Sequence, residues 1–416
     1  MSKLGLGRWQ GAGLMATTLL GTGVFILPQM TLTAAGEQAL LAWGLLTMLL
    51  IPVTLVFGRL SGVLPHAAGP AYFVERAFGV SLGRAIGLVF LLVVPIGAPA
   101  ALLMTFEFVT SLIPLTGLSL LAGQLLALVL LWLINARGIV VSARLQFGLT
   151  LVIVTVVVLL LTTLGGNAQP VSAQSLLNAD SYSPMLAAAG IAFWSFLGIE
   201  AMSHLSKEFR QPERDMLPAM LMGVVLVGLI YLACCYLLLG YPLDSGLAMV
   251  HAFDAQIASW SGVSGAWVIG VLGSASGLAT VNVYAAGTSR LIASFAEQGV
   301  LPKSLAKTNP QGAPLRALTA LLSVIALVLA LVSWLALPLH QLIEWANGVF
   351  VLIYLATMLA ATRLLSRRYQ SLAWAGCIPC LAIGWALGLQ LAYALVALAL
   401  AFALVQLARR KSRETE

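Results

Sequence analysis

Two glycine-containing interruptions lie within long apolar segments of the sequence. The first is Gly21-Thr22-Gly23, and the second runs from Trp194 to Ala201 and contains Gly198 and the acidic residue Glu200. Glycine weakens a helix, and the ends of a broken helix expose backbone N–H and C=O groups. Such groups can bind a zwitterion, because helix N-termini attract a carboxylate and free carbonyls accept hydrogen bonds from an ammonium group.

The two interruptions predict a substrate site built largely from backbone atoms. The N–H groups expected to bind a carboxylate belong to Thr22, Gly23 and Val24. We expect the carbonyls of Leu19 and Leu20 to accept from an ammonium group, and residues Trp194 to Leu197, next to Gly198, to offer similar groups. The alternative interpretation of these glycines is close helix packing, which is common in membrane proteins.

The composition places both interruptions in a membrane protein. Hydrophobic residues make up 61% of the 416 residues, charged residues make up 8%, and the mean hydropathy is +1.01. A soluble domain carries about 25% charged residues, so this chain cannot build a water-exposed surface. A membrane-spanning helix needs about 20 apolar residues. Twelve such segments can be placed, at 9–33, 39–63, 84–111, 117–136, 142–165, 184–204, 215–240, 258–297, 315–336, 340–362, 372–389 and 391–408.

The basic residues support this topology. If the N-terminus is cytoplasmic, all 21 Lys and Arg residues fall on the cytoplasmic side of the twelve segments, as the positive-inside rule requires. We therefore expect a multi-pass protein of the bacterial inner membrane with both termini in the cytoplasm. The net charge of +7 does not indicate nucleic-acid binding, because the basic residues form no patch or basic domain.

The interruptions fall in the first and sixth segments, which correspond to each other if each of two repeats contains five helices. Broken helices at corresponding positions of two inverted repeats form the substrate site of many transporters. We expect an all-α fold with 12 transmembrane helices in a single transporter domain spanning 1–416. Its parts are repeat one at about 9–165, repeat two at about 184–362, and two additional C-terminal helices at about 372–408.

Glu200 is an acidic residue expected near the middle of the membrane. A charged side chain at a helix centre costs at least about 2.5–3.5 kcal/mol, so such residues are usually functional. We interpret Glu200 as a proton carrier or gate. The alternative is a structural acceptor for neighbouring N–H and hydroxyl groups.

Two weaker signals concern the second half of the chain. Asn347-Gly348, next to Trp345, predicts an interruption of the tenth helix. Cys377 and Cys380 have the spacing of a redox or metal pair, but they lie in an apolar segment without neighbouring His or acidic residues. We therefore assign the cysteines a packing role and expect neither a metal nor a cofactor.

Four motifs, in order along the chain, resemble those of the amino acid–polyamine–organocation (APC) superfamily. They are Gly21 to Phe25, Trp194 to Glu200, Lys207 to Ala219, and Glu297 to Pro314. The chain is identified as a member of this superfamily across roughly its whole length. The resemblance implies a five-plus-five inverted-repeat fold with broken helices 1 and 6, and transport by alternating access. Leu19 to Phe25 and "ANGVF" at 346–350 also resemble bacterial exporters of methionine and branched-chain amino acids.

The resemblance also implies roles for individual residues. Thr22 and Gly23 match positions that bind the substrate carboxylate, and Trp194 and Leu197 match positions that line the pocket. Tyr284 matches an aromatic gate on helix eight, and Glu200 matches the sixth-helix glutamate of the family.

The chain departs from the family pattern in two places. Pro70 stands where relatives usually have glycine. The fifth helix lacks the lysine that replaces a sodium ion in some proton-coupled relatives, so the resemblance does not supply the coupling mechanism.

The third helix indicates the class of substrate. Its segment from Val93 to Met104 contains small or kinking residues, Ala98 among them, and no charge. If this segment faces the pocket, it favours the neutral apolar amino acids methionine, leucine, isoleucine and valine; the alternative is that it only packs helices. We expect proton-coupled efflux of these amino acids, with an importer or exchanger as the alternative. A homodimer is compatible with the sequence, but no residue favours it.

Other classes of protein fit the sequence less well. A membrane enzyme would need clustered catalytic residues, whereas the His and acidic residues are scattered. A channel or sensor would need rings of charge or an attached signalling domain, and the sequence contains neither.

Overall fold

The computed structural model describes residues 5–21, 23–164, 181–243 and 247–414. Within these residues the regular elements are helices, joined by one isolated β-bridge between Leu6 and Phe209. A helix satisfies its backbone N–H and C=O groups within a single segment, which is why long apolar runs adopt this form in lipid. The all-α class predicted from the sequence is confirmed.

The helices make up most of the described residues. In chain order they are α1 (Arg8–Leu20), α2 (Leu27–Ala35), α3 (Gln38–Val63), α4 (Pro70–Phe78), α5 (Val80–Leu112), α6 (Gly117–Ala136), α7 (Ile139–Leu164), α8 (Ser183–Phe193), α9 (Ile199–His204), α10 (Pro212–Leu238), α11 (Ala248–Phe253), α12 (Gly265–Glu297), α13 (Leu315–Leu335), α14 (Leu339–Leu364), α15 (Arg367–Leu387) and α16 (Gln390–Glu414). A π-helical stretch, Asp254–Ala258, and one further helical turn, Ser259–Ser261, follow α11.

Ten helical segments of the described residues are long and apolar enough to cross a membrane, judged by length and composition. They correspond to the second through eleventh predicted spans. The first predicted span, 9–33, is divided between α1 and α2, which have 13 and 9 residues. The last lies in α16, whose apolar part, Leu391–Leu407, is shorter than the other ten.

Proline and glycine set many helix ends. Pro28, Pro70, Pro184 and Pro212 lie in the first turns of α2, α4, α8 and α10, where a missing N–H leaves no helical bond unmade. The departure from the family pattern at Pro70 thus falls where proline is tolerated.

The predicted interruption of the tenth helix is wrong. Helix α14 continues through Asn347 and Gly348 from Leu339 to Leu364. The Asn347 Nδ2 donates to the carbonyl of Gly190 at 3.2 Å, so the asparagine finds a partner on α8 instead of breaking its own helix. The four cysteines are free thiols buried within the protein, as the packing interpretation expects.

A short backbone pairing joins the segment before α1 to the segment after α9. The N–H of Leu6 donates to the Glu208 carbonyl, and the N–H of Arg210 donates to the Leu6 carbonyl, each at 2.9 Å. The Glu208 carboxylate also forms an ion pair with Arg290 of α12, with 2.8 Å between Oε1 and Nε. The start of α1, the end of α9 and α12 are therefore tied together at one end of the molecule.

Candidate functional site

A small cavity lies where α1, α5, α12, α14 and the segment between α8 and α9 meet. Its volume is about 40 Å³, and most of its surface is apolar. The lining residues are Thr18, Leu19, Gly21, Gly23, Val94, Gly97, Ala98, Ala101, Trp194, Leu197, Thr280, Val281, Tyr284 and Phe350. Both interruptions therefore contribute to the same cavity.

The structure brings most of the predicted site residues together. Those that line the cavity are Leu19, Gly23, Ala98, Trp194, Leu197 and Tyr284. Val24 and Gly198 are not among the lining residues, and Glu200 reaches the cavity through Tyr284. Thr22 lies outside the residues that the structure describes. The presence of Ala98 in the lining agrees with the interpretation that the third predicted helix faces the pocket.

The first interruption begins at Gly21, where α1 ends. Gly21 has a φ of +35°, and a Cβ there would lie 2.1 Å from Oγ1 of Thr280. Glycine is therefore required both for the backbone conformation and for the close approach of Thr280. The Thr280 hydroxyl lies 3.2 Å and 3.0 Å from the carbonyls of Thr17 and Thr18, to which it donates. Helix α12 thereby donates to carbonyls in the last turn of α1, of which that of Thr17 also accepts from the N–H of Gly21 at 2.9 Å.

The described amide groups at the first interruption, those of Gly23 and Val24, are paired within it. The N–H groups of Gly23 and Val24 both donate to the Leu20 carbonyl, at 3.1 Å and 2.9 Å. The Tyr231 hydroxyl donates to the same carbonyl at 2.9 Å and lies 3.3 Å from the Leu19 carbonyl. The expectation that these amides are free is therefore wrong for this conformation, because the tight turn pairs them within the break itself.

The second interruption turns sharply at Gly198. This glycine has a φ of +131°, and a Cβ there would lie 2.7 Å from Cγ2 of Thr18 on α1. Its N–H, at the start of α9, donates to Oε2 of Glu200 in the first turn at 3.0 Å, as in the second half of a capping box. Glycine thus permits both the turn and the close approach of the two interruptions.

Glu200 connects α9 to two other helices. It is fully buried; its Oε1 accepts a hydrogen bond from the Tyr284 hydroxyl of α12 at 2.6 Å. Its Oε2 accepts from the Tyr354 hydroxyl of α14 at 2.5 Å, and that hydroxyl also lies 2.9 Å from the Phe196 carbonyl. Both carboxyl oxygens therefore have donors, as a buried carboxyl group requires. This geometry fits the interpretation of Glu200 as a structural acceptor. It also means that protonation of Glu200 would alter its hydrogen bond to Tyr284, whose side chain lines the cavity.

Sequence reasoning missed Tyr231, Tyr354 and Thr280. A buried tyrosine hydroxyl usually needs a hydrogen-bond partner, so the two tyrosines within apolar segments carried a usable signal. Thr280 carried none, because a threonine hydroxyl can also bond to a carbonyl of its own helix; here it lies 3.4 Å from the Ser276 carbonyl.

Comparison with known proteins defines the class. The sequence profile of the amino acid permease family matches residues 6–411, and the chain belongs to this family, within the APC superfamily. It is therefore a multi-pass amino acid transporter and not an enzyme.

Relatives from several organisms match most of the chain. It is 35% identical over 399 residues to the L-methionine/branched-chain amino acid exporter YjeH of Escherichia coli (strain K12), covering 95% of both chains. It is 30% identical over 395 residues to the amino acid permease YecA of Bacillus subtilis (strain 168), covering 91% of both. It is 23% identical over 397 residues to solute carrier family 7 member 13 of Mus musculus, covering 88% of this chain and 78% of that relative. The superfamily assignment made from the motifs is confirmed.

Proposed function

We propose that the protein exports neutral apolar L-amino acids, namely methionine, leucine, isoleucine and valine, across the inner membrane. The observation that carries this proposal is the apolar cavity between the two interruptions. Each of its lining residues is uncharged, so it suits a substrate with an apolar side chain better than a cationic one. The name of the Escherichia coli relative points to the same substrates.

We propose that the backbone of the first interruption binds the charged groups of the substrate. The N–H groups of Thr22, Gly23 and Val24 would bind its carboxylate. The carbonyls of Leu19 and Leu20 would accept from its ammonium group, in place of the Tyr231 hydroxyl that now contacts them. Binding therefore exchanges internal hydrogen bonds for bonds to substrate, which limits the net energy gained from each.

Residues of the second interruption and two neighbouring helices would complete the site. Trp194, Leu197 and Gly198 belong to the second interruption, whereas Ala98 and Tyr284 lie on α5 and α12. In this proposal Ala98 leaves room for the apolar side chain, and Tyr284 acts as the aromatic gate.

We propose Glu200 as the group that couples proton movement to transport. As a carboxylate it accepts from Tyr284, Tyr354 and Gly198 together. A protonated carboxyl loses acceptor capacity, because one of its oxygens becomes a donor. Protonation would then weaken the bond to Tyr284, whose side chain lines the cavity. In this proposal that change links the proton gradient to efflux of the substrate. Import or exchange by the same machinery is the alternative, since direction depends on stoichiometry and gradients.

We also propose that α1 and α2 together form the first of twelve spans and that α16 forms the last. The one-sided distribution of all 21 Lys and Arg residues supports this count and cytoplasmic termini. The repeats would cover about 9–165 and 184–362, and the additional pair about 372–408.

Counterflow in proteoliposomes tests the proposed function. Liposomes are loaded with unlabelled methionine or leucine, and labelled substrate is added outside. We expect transient accumulation of label with methionine, leucine, isoleucine and valine, but not in liposomes loaded with lysine. A failure of all four apolar amino acids to drive accumulation would show that the substrate assignment is wrong.

A further inference from the structure

A second cavity lies between α6, α7 and α12. Its volume is about 300 Å³, at the lower end of the range of about 300–1,000 Å³ for ligand pockets. Its ten lining residues, all of them described, are leucine, isoleucine, alanine, glutamine and asparagine, so none is charged.

The rim of this cavity carries leucines that are exposed on the surface of the protein. Leu130 of α6 and Leu145 of α7 line it, and they are 46% and 66% exposed on the surface of the protein. All three helices are long and apolar enough to span a membrane. Exposed leucines on such helices contact lipid, so the material able to enter the cavity is lipid hydrocarbon.

The floor of the cavity is polar, but its polar groups bond within the protein. Gln146 and Asn282 lie there and are 4% and 3% exposed. Oε1 of Gln146 accepts from the Thr17 hydroxyl at 2.8 Å, and Oδ1 of Asn282 accepts from Nδ2 of Asn135 at 2.6 Å. An occupant therefore does not need a polar group to satisfy the floor.

We propose that this cavity binds one acyl chain of a membrane lipid. A void of this size would forfeit dispersion contacts if it stayed empty, and its apolar walls offer water few of the two to four polar partners that it requires. An acyl chain satisfies the walls and needs no charged group. Lipid binding here does not depend on the proposed transport function.

The bound chain would contact a group that supports the substrate cavity. Gln146 holds Thr17, which lies one turn before the first interruption. The acyl chain would pack against α7 near the hydrogen bond between Gln146 and Thr17. It would thereby stabilise the contact between α7 and α1.

Photolabelling in nanodiscs tests the proposal. The probe is a phosphatidylglycerol with a diazirine in the middle of one acyl chain, diluted into unlabelled phosphatidylglycerol, and the adducts are mapped by mass spectrometry. We expect the adducts to concentrate on the lining segments of α6, α7 and α12, above the level on other lipid-facing helices. Equal labelling of all lipid-facing helices of the wild-type protein would overturn the proposal.

Substitutions that fill the cavity provide a second readout. Ala275→Phe and Ala279→Phe each add a ring at a half-buried position of the lining, and Ala320→Phe, at an exposed position of α13, is the matched control. We expect each cavity variant to lose most of the local adducts and the control to keep them. The proposal would be contradicted by a cavity variant that has the same unfolding temperature as the control and is still labelled as strongly as the wild type.

Discussion

The hydroxyl of Tyr284 lies 2.6 Å from Oε1 of Glu200, so a side chain of the cavity is bonded directly to a fully buried carboxyl group. The bond joins α12 to the short helix that follows the second interruption. A change in the charge of Glu200 therefore reaches the cavity through one hydroxyl group.

Replacing Glu200 with glutamine should remove the pH dependence of transport. The amide oxygen of Gln can still accept from Tyr284, but the side chain can no longer gain or lose a proton. Counterflow and gradient-driven transport would be measured over a series of pH values. Glu107→Gln, at an exposed position of α5, is the control and should behave like the wild type. An unchanged pH profile in Glu200→Gln would rule out the coupling role and favour the structural acceptor.

Tyr354→Phe should destabilise the protein by about 1–3 kcal/mol, the usual consequence of removing one partner from buried hydrogen bonds. Oε2 of Glu200 and the Phe196 carbonyl both lose the Tyr354 hydroxyl. The unfolding temperature in detergent measures this effect. Tyr393→Phe, at a position 42% exposed, should leave the unfolding temperature nearly unchanged. Equal unfolding temperatures for the two variants would show that the Tyr354 bonds contribute little.

Gly23→Val should abolish transport without preventing insertion into the membrane. A Cβ at Gly23 would lie 2.3 Å from Cδ1 of Leu27 and 2.9 Å from the Tyr231 hydroxyl. Leu27 can rotate, whereas Tyr231 is held by its bonds to the first interruption. Counterflow and the amount of protein in the membrane would be measured together. Gly44→Val, where a Cβ meets nothing within 4 Å, is the control and should transport normally; transport by Gly23→Val would contradict the site.

Ala98→Leu should reduce transport of methionine and leucine more than transport of valine. The larger side chain occupies space in a cavity of about 40 Å³, and one methylene group in an apolar pocket typically changes selectivity by about 10–200-fold. Competition between labelled valine and the unlabelled longer amino acids measures the change. Ala320→Leu, at an exposed position on α13, serves as the control. A uniform loss for all substrates would mean that Ala98 supports packing and does not set specificity.

His66 should make the folded state less stable in acid. It lies between α3 and α4, where its Nδ1 accepts from the N–H of Ala68 at 3.1 Å. Burial, and then the positive charge of Lys207, lower the pKa of His66 from 6.5 to about 4. The unfolded chain therefore binds a proton at a higher pH than the folded protein does, so this group reduces stability as pH falls from 6.5 towards 4.

His66→Gln should lessen this acid-induced loss. Unfolding temperatures of the wild type and the variant would be compared at neutral pH and at several lower values. Parallel decreases in both proteins would show that other groups cause the acid sensitivity.

The long helices could be predicted because their apolar runs exceed the thickness of the membrane. The sequence, for example, predicts the third span at 84–111, and the helix runs from Val80 to Leu112. The hydrogen bonding inside the first interruption could not be predicted. It depends on the backbone angle of Gly21 and on the hydroxyls of Tyr231 and Thr280, which are distant in sequence.

The same limitation explains the error in the tenth helix. Asn347 and Gly348 are weak helix formers, and propensity alone favours a break. The partner that the Asn347 side chain finds, the Gly190 carbonyl, is 157 positions away. The prediction that both interruptions contribute to one site rests on the proposed repeat symmetry rather than on local preference, and residues of both line the cavity.

The pairing of Leu6 with the segment 208–210 gives the protein a backbone amide whose hydrogen exchange reports on the movement of α1. If α1 tilts away from α9, one outcome is that the two backbone bonds at Leu6 break. The other is that the paired segment moves together with α1, and the ion pair between Glu208 and Arg290 moves with it. The amide hydrogen of Leu6 is held only while this joint is closed. Its rate of exchange with deuterium would therefore report how often this backbone pairing breaks.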